Sequence, residues 1–275
     1  MKNAKNTLLS QLHHDQTHGA SELALIILKQ LYQFMQLNEI NWRDGLSWVD
    51  ELKRLRPSMA PLSNALDQWQ LSDYEDLTHC LQHLDHIITA LQQAHQQVAQ
   101  HACSLIQPGQ TLLTHSRSSA VLSLFQELNT KEIPFQVIIT ASAPGNEGYQ
   151  VAQQLNQLGV NSTIITDAQI GLFIPQAHMV ICGCDTWLAD HCFVNKSGSY
   201  LLALAAQDRG IPFWVLADCF KSSNLSSSQI TLEEMPSAEL NAPKGEYIHT
   251  RNIYFEIIPE RLVTGRVDEH GTTFL

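Results

Sequence analysis

The stretch Thr111–Leu128, Thr-Leu-Leu-Thr-His-Ser-Arg-Ser-Ser-Ala-Val-Leu-Ser-Leu-Phe-Gln-Glu-Leu, passes from a short apolar run through a polar turn into a helical period. A strand leading through a Ser-rich turn into a helix is the first half of a βαβ unit. The pattern then recurs. Short runs rich in β-branched residues follow at Gln136–Thr140, Ser162–Thr166, Met179–Cys182 and Phe213–Leu216, with helical stretches at Ala120–Leu128, Gly148–Leu158 and Tyr200–Gln207. This alternation predicts a parallel sheet with crossover helices. Ile253–Ile258 reads as a final strand before a tail ending in the turn Asp268-Glu269-His270-Gly271, and Ser222–Gly245, rich in Ser, Pro and Glu, reads as a loop or lid that packs little.

Upstream the texture differs. From Asn6 to about Ala102 the chain is rich in Leu, Gln and His, with apolar residues at helical spacing such as Leu23, Ile26, Ile27, Leu31 and Phe34. Pro57 and Pro61 interrupt this half, and Leu81, Leu84, Ile87, Ile88 and Leu91 resume the period in a long helix ending near His101.

The 275 residues, 44% hydrophobic, suffice for one large or two modest cores, which excludes wholesale disorder. A net charge of −11 argues against nucleic acid and anionic membrane as partners, leaving small molecules or protein. No run approaches the roughly 18 apolar residues of a spanning helix, and the N-terminus lacks a signal-peptide pattern, so a soluble, cytoplasmic protein is expected. The six cysteines fit no disulfide framework and read as reduced thiols. Cys182, Cys184 and Cys192 do not complete a zinc set, and His79, His83 and His86 read as a solvated helix face, so no metal site is expected. No Gly-x-Gly-x-x-Gly or Walker-type loop is present, and no cofactor is expected.

In an open parallel sheet, ligands bind beyond the carboxyl ends of the strands. Residues just past the strands are His115-Ser116-Arg117-Ser118-Ser119, Ser142, Asp167, Gly183-Cys184-Asp185 and Asp218. Ser116–Ser119 lies at a helix start, where hydroxyls and free N–H groups hold phosphate, although serine there also serves as an ordinary cap. Asn195-Lys196-Ser197-Gly198-Ser199, at another helix start, is a second candidate, with Lys196 as counter-charge. Asp185, after an apolar strand and beside Cys184 and Trp187, is placed to act as a carboxyl of raised pKa in acid or base work, or simply as a cap.

The order of these motifs resembles the translation initiation factor 2B alpha/beta/delta subunit family, which also holds methylthioribose-1-phosphate isomerase and ribose-1,5-bisphosphate isomerase. The resemblance rests on Arg56–Asn64, Thr114–Ser119, Gly183-Cys184-Asp185, Asn195–Ser199, Ala217–Lys221 and the tail from Asn252 to Gly271. It implies an α/β chain in which a helical N-terminal domain, residues 1–105, sits on a Rossmann-like parallel sheet, residues 106–275, with a sugar-phosphate pocket between them. It also implies a homodimer or larger assembly and leaves room for a protein partner.

Carried onto this chain, the resemblance assigns ligand contacts to Gly19, Ala20, Arg56, Arg117, Ser118, Ser119, Glu147, Asn195, Lys196 and Lys221. The isomerases' Arg-Gly-Ala turn matches His18-Gly19-Ala20, without its arginine. Their catalytic cysteine and aspartate match Ser116 and Asp185, so the cysteine is a serine, and a hydroxyl with no adjacent base does not ionise near neutral pH as a thiol does. Basic residues of the loop after the second strand are replaced by Ala143 and Gln150. The expected function is therefore a regulatory, non-catalytic protein like the initiation factor 2B subunits, binding a sugar phosphate or nucleotide. The alternative is an aldose–ketose isomerase of a ribose 1-phosphate derivative, with Asp185 as acid/base and Ser116 or Cys184 in place of the thiol.

Overall fold

The computed structural model describes residues 2–15 and 18–275. The first third is helical: α1 (Lys2–His14), α2 (Ala20–Gln36), α3 (Trp42–Ser47), α4 (Val49–Leu55), α5 (Ala60–Gln70) and α6 (Leu77–Cys103). Pro57 lies in the break between α4 and α5, and Pro61 in the first turn of α5, where its missing N–H costs nothing.

Helix α6 is the shaft of the molecule. It starts at Asp76, whose side chain accepts from the His79 N–H, and its 27 residues span about 40 Å. Its first half, through Leu84, Ile87, Ile88 and Leu91, packs into the helical core with Leu23, Ile27, Leu31 and Trp69. The second half, through Val98, Ala99, Ala102 and Cys103, packs into the core that covers one face of the sheet. One amphipathic stripe thus fastens both halves of the chain. His79 and His86 lie on the exposed side of this helix, and His83 is half-buried against Tyr74.

The remainder runs β1 (Gln110–Thr114), α7 (Ser119–Thr130), β2 (Phe135–Thr140), α8 (Glu147–Gln157), β3 (Ser162–Ile165), α9 (Ile170–Phe173) and β4 (Met179–Gly183). It continues through β5 (Thr186–Trp187), β6 (Cys192–Lys196), α10 (Ser199–Arg209), β7 (Phe213–Leu216), β8 (Phe255–Pro259), β9 (Gly265–Asp268) and β10 (Gly271–Phe274). The main sheet has the order β10-β9-β7-β4-β1-β2-β3, parallel except for β10. Strands β4 and β7 are buried throughout, which is why their sequences are continuous apolar runs rather than alternating ones. From β3 through β9 the order is that of a Rossmann sheet, and it reverses between β1 and β4.

Three expectations need correction. The strand read at Ile253–Ile258 is shifted along the chain: β8 begins at Phe255 and pairs with β6 in a separate antiparallel sheet, β5-β6-β8. The tail is not only a turn, because β9 and β10 form a hairpin around Asp268–Gly271 that closes the sheet edge. Ser222–Gly245 does lack helices and strands beyond short 3-10 turns, yet it packs: Ile230, Leu232 and Met235 rest on the helical core. Single apolar anchors in a polar segment leave no periodicity to read.

Close approach fixes where α8 sits. A Cβ on Gly148 would land on the carbonyl oxygen of Thr140 at the end of β2, a backbone atom that cannot swing aside. Gly148→Ala is expected to lower stability by about 1–3 kcal/mol, as overpacking does, read from the urea midpoint at unchanged m-value. A midpoint equal to that of the parent protein would show that α8 does not depend on this contact.

Candidate functional site

Loops leaving β1 and β4 turn in opposite directions at the strand reversal, and a cleft opens between them and the helical region. The ligand contacts and the acid–base pair that the resemblance assigns line it: Gly19, Ala20 and Arg56 from the helical side, Ser116 to Ser119 after β1, and Glu147 at the start of α8. Asp185 after β4, Asn195 and Lys196 on β6, and Lys221 after β7 complete the set.

The β1 loop is held by His115, whose ring is buried. Its Nε2 lies 2.9 Å from the Ser197 carbonyl, which only accepts, so Nε2–H donates there and Nδ1 accepts from the Thr140 hydroxyl at 2.6 Å. Burial holds its pKa below the usual histidine value, which keeps the ring neutral in this arrangement. Gly198, at φ +108°, packs on the imidazole, and a Cβ there would come within 2.7 Å of Cε1. Ser116 follows at φ 63°, a left-handed conformation held by its N–H donating to Ser142 Oγ at 2.7 Å.

Two helix N-termini face the cleft. α2 starts behind Gly19 and α7 behind Ser118, and neither N-cap residue makes a side-chain capping bond. The Ser118 hydroxyl is buried and has no hydrogen-bond partner among the described residues. A Cβ on Gly183 would strike the Ser118 side chain, so glycine at the end of β4 lets the two loops meet.

The charges are mostly matched inside the protein. Arg117 Nη1 donates to Glu22 Oε2 on α2 at 2.6 Å, and Lys196 Nζ donates to Glu147 Oε1 at 2.8 Å while lying 3.5 Å over the Tyr254 ring. Arg56 donates to Glu233 Oε2 at 3.0 Å. Lys221 donates to the Cys184 carbonyl and, among the described residues, makes no ion pair. Glu147 Oε2 is buried with no hydrogen-bond partner among those residues.

Asp185 opens on the cleft from deep in the protein. Burial pushes its carboxyl up to about 6, against the pull of the Lys221 ammonium and with a push from Glu233. Cys184 is buried beside it, and desolvation pushes its thiol up to about 12. This desolvation holds Cys184 as a neutral thiol near neutral pH, which weighs against its standing in for the missing cysteine. Among the described residues the Ser116 hydroxyl hydrogen-bonds no histidine, lysine or carboxylate, and the neighbouring His115 is fully engaged.

Other candidates serve the scaffold. Asp167 accepts from the N–H groups of Ser142 and Ala143 at 2.9 and 2.8 Å and shapes the β2 loop. Asp218 is fully buried; burial raises its carboxyl, but His95, 3.2 Å from Oδ2, and the Lys221 charge bring it below the usual range. Ser197 does not offer a phosphate seat either. Glu256 Oε1 accepts from the N–H groups of Gly198 and Tyr200 at 2.7 and 2.8 Å, so a carboxylate of the chain already caps α10. Reading the sequence missed His115 as the pin of the β1 loop, and missed Tyr254, Met235, Glu22 and Glu233. Their partners lie far away in the chain, and no local pattern marks them.

Residues 16–273 match the Initiation factor 2 subunit family. The chain belongs to that family. It is 31% identical over 275 aligned positions to a translation initiation factor eIF-2B subunit 2-like protein of Pyrococcus furiosus, covering 96% of this chain and 94% of that one. It is 25% identical to ribose 1,5-bisphosphate isomerase of Methanocaldococcus jannaschii, covering 92% of this chain and 86% of that one. The crystal structure of translation initiation factor eIF-2B from Pyrococcus horikoshii superimposes with a TM-score of 0.89 at 29% identity, covering 98% and 96%. This member of the family thus shares sequence with initiation factor subunits and with sugar-phosphate isomerases.

Asp185 gives the cleft a pH signature. Below about pH 4 the carboxyl is protonated folded and unfolded alike and contributes nothing; between about 4 and 6 the unfolded chain releases its proton first, so stability falls as pH rises. Asp185→Asn is expected to abolish this fall and to exceed the parent protein by about 2–3 kcal/mol above pH 6. Parallel stability–pH curves for the two proteins would show that burial does not strain this carboxyl.

Proposed function

We propose that the protein is a regulatory, non-catalytic member of its family that binds a phosphorylated metabolite, a sugar phosphate or nucleotide, in this cleft. The observation that carries the reading is the convergence on a cleft that also holds Lys221 of two helix N-termini, those of α2 and α7, whose N-cap residues make no side-chain capping bond among the described residues. Backbone N–H groups and helix dipoles favour an anion there, and the buried Ser118 hydroxyl supplies a further donor. Phosphate takes the Ser118–Ser119 turn with Lys221 as counter-charge. Asp185, Asn195 and the unpartnered Glu147 Oε2 face sugar hydroxyls. Gly19, Ala20, Arg56 and Arg117 form the opposite wall.

A second reading, an aldose–ketose isomerase acting on a ribose 1-phosphate derivative, has one observation in its favour: a carboxyl raised to about 6 inside a cleft suits general acid–base work. Against it stand Ser116 without a base and Cys184 held as a neutral thiol. The first reading also divides the chain at residue 105 into two domains that grip the ligand. It makes the protein a cytoplasmic homodimer with room for a protein partner. No described helix is long and apolar enough to cross a membrane.

Calorimetric titration with ribose 1-phosphate is expected to show binding, and Lys221→Met to weaken it by about 1.5–3 kcal/mol, the cost of a lost charged hydrogen bond. Proton NMR of the same mixture is expected to show the sugar unchanged. Binding by the parent protein that Lys221→Met leaves unaltered removes the phosphate from this seat, and steady conversion to a ketose selects the isomerase.

A further inference from the structure

After β7 the segment Ser222–Gly245 reaches the cleft as a strap, with Met235 in the cleft lining. It is fastened to its own half by Glu234, which accepts from Arg251 Nε at 2.8 Å, and by Glu239, which accepts from the Tyr254 hydroxyl and from Asn252 Nδ2 at 2.5 and 2.9 Å. Toward the helical half it reaches out one carboxylate. Glu233 Oε2 accepts from Arg56 Nη1 at 3.0 Å, and Oε1 accepts from Ser58 Oγ at 2.8 Å.

Arg56 cannot follow a partner that moves. Its Nε donates to the Leu12 carbonyl at 2.8 Å and its Nη2 to the Asp15 carbonyl, so the guanidinium is locked with Nη1 presented beside Ser58. Arg56 and Glu233 are nearly water-free, with side chains 5% and 13% exposed. A buried guanidinium left unpaired is strongly unfavourable, so this seat always needs an anion. Two fixed donors around one carboxylate are what one end of a second phosphate would take. A second anion there meets Glu233 head on, and like charges at that spacing repel.

Resting on the reading of the cleft as a sugar-phosphate site, we propose that Glu233 sets its charge selectivity: it fills the Arg56–Ser58 anion seat with the chain's own carboxylate, so the cleft accepts a sugar monophosphate and rejects a bisphosphate. The phosphate bound at the Ser118 turn is untouched by this device. Its far end must be uncharged.

The test is calorimetry of the parent protein, Glu233→Gln and Glu234→Gln, each titrated with ribose 1-phosphate and with ribose 1,5-bisphosphate. Gln at 233 keeps one acceptor, its amide oxygen, for Arg56, turns its NH2 toward the Ser58 hydroxyl, which can accept from it, and removes the negative charge; Glu234 pairs with Arg251 outside the cleft and controls for a loosened strap. Glu233→Gln is expected to raise bisphosphate affinity about tenfold or more with monophosphate affinity unchanged, and Glu234→Gln to change neither. If Glu233→Gln is less stable, the rise of its melting temperature with each ligand reads the same preference. Monophosphate binding without any bisphosphate gain in Glu233→Gln overturns the role of Glu233 and leaves the reading of the cleft standing. An equal gain in Glu234→Gln overturns it as well, by assigning the effect to the strap. Failure of all three proteins to bind either ligand rejects the sugar-phosphate reading and this inference with it.

Discussion

Between β1 and β4 two parallel neighbours feed crossovers that run to opposite ends of the sheet, which leaves a gap above them. The rest of the molecule is arranged around that gap. Gly183 lets the β4 loop meet Ser118, His115 pins the β1 loop to β2 and to the turn before α10, and the small sheet carries Lys196 into the cleft wall, over the ring of Tyr254 just before β8. The helical region supplies the remaining wall, and α6 keeps it in place because its one apolar stripe belongs to both cores.

Electrostatics then decides what the gap is for. A cleft lined by Arg56, Arg117, Lys196 and Lys221 looks like a trap for highly charged anions, but Glu233, Glu22 and Glu147 sit on the first three. Lys221 donates to a carbonyl rather than to a carboxylate, and the N-terminal residues of α2 and α7 line the same cleft. The same balance explains the protonation states: Asp185 is lifted by burial, and Cys184 is too desolvated to ionise.

Much of this is legible in the sequence. The parallel strands announce themselves because strands buried on both faces are unbroken apolar runs, as in Phe213–Leu216, and the residues after them could be found by counting. The β5–β6 pairing escaped notice because Thr186–Trp187 is only two residues long, and β10 because Gly271–Phe274 is an exposed edge with no apolar alternation. The carboxylate partners were invisible for a different reason. Glu233 lies 177 positions from Arg56 and Glu22 lies 95 from Arg117, so nothing local distinguishes them from surface acids. Glu256 shows the consequence: the turn at Ser197 reads as an anion seat until the fold brings a carboxylate to it.

A crystal structure of the protein with ribose 1-phosphate addresses the central claim most directly, because it locates the phosphate and shows the Arg56–Glu233 pair at the same time. The account places the phosphate within hydrogen-bond distance of Ser118 Oγ and Lys221 Nζ, with Glu233 still on Arg56 and Ser58. A phosphate seated on Arg56 with Glu233 swung away, or a cleft left without ligand at saturating concentration, would contradict it.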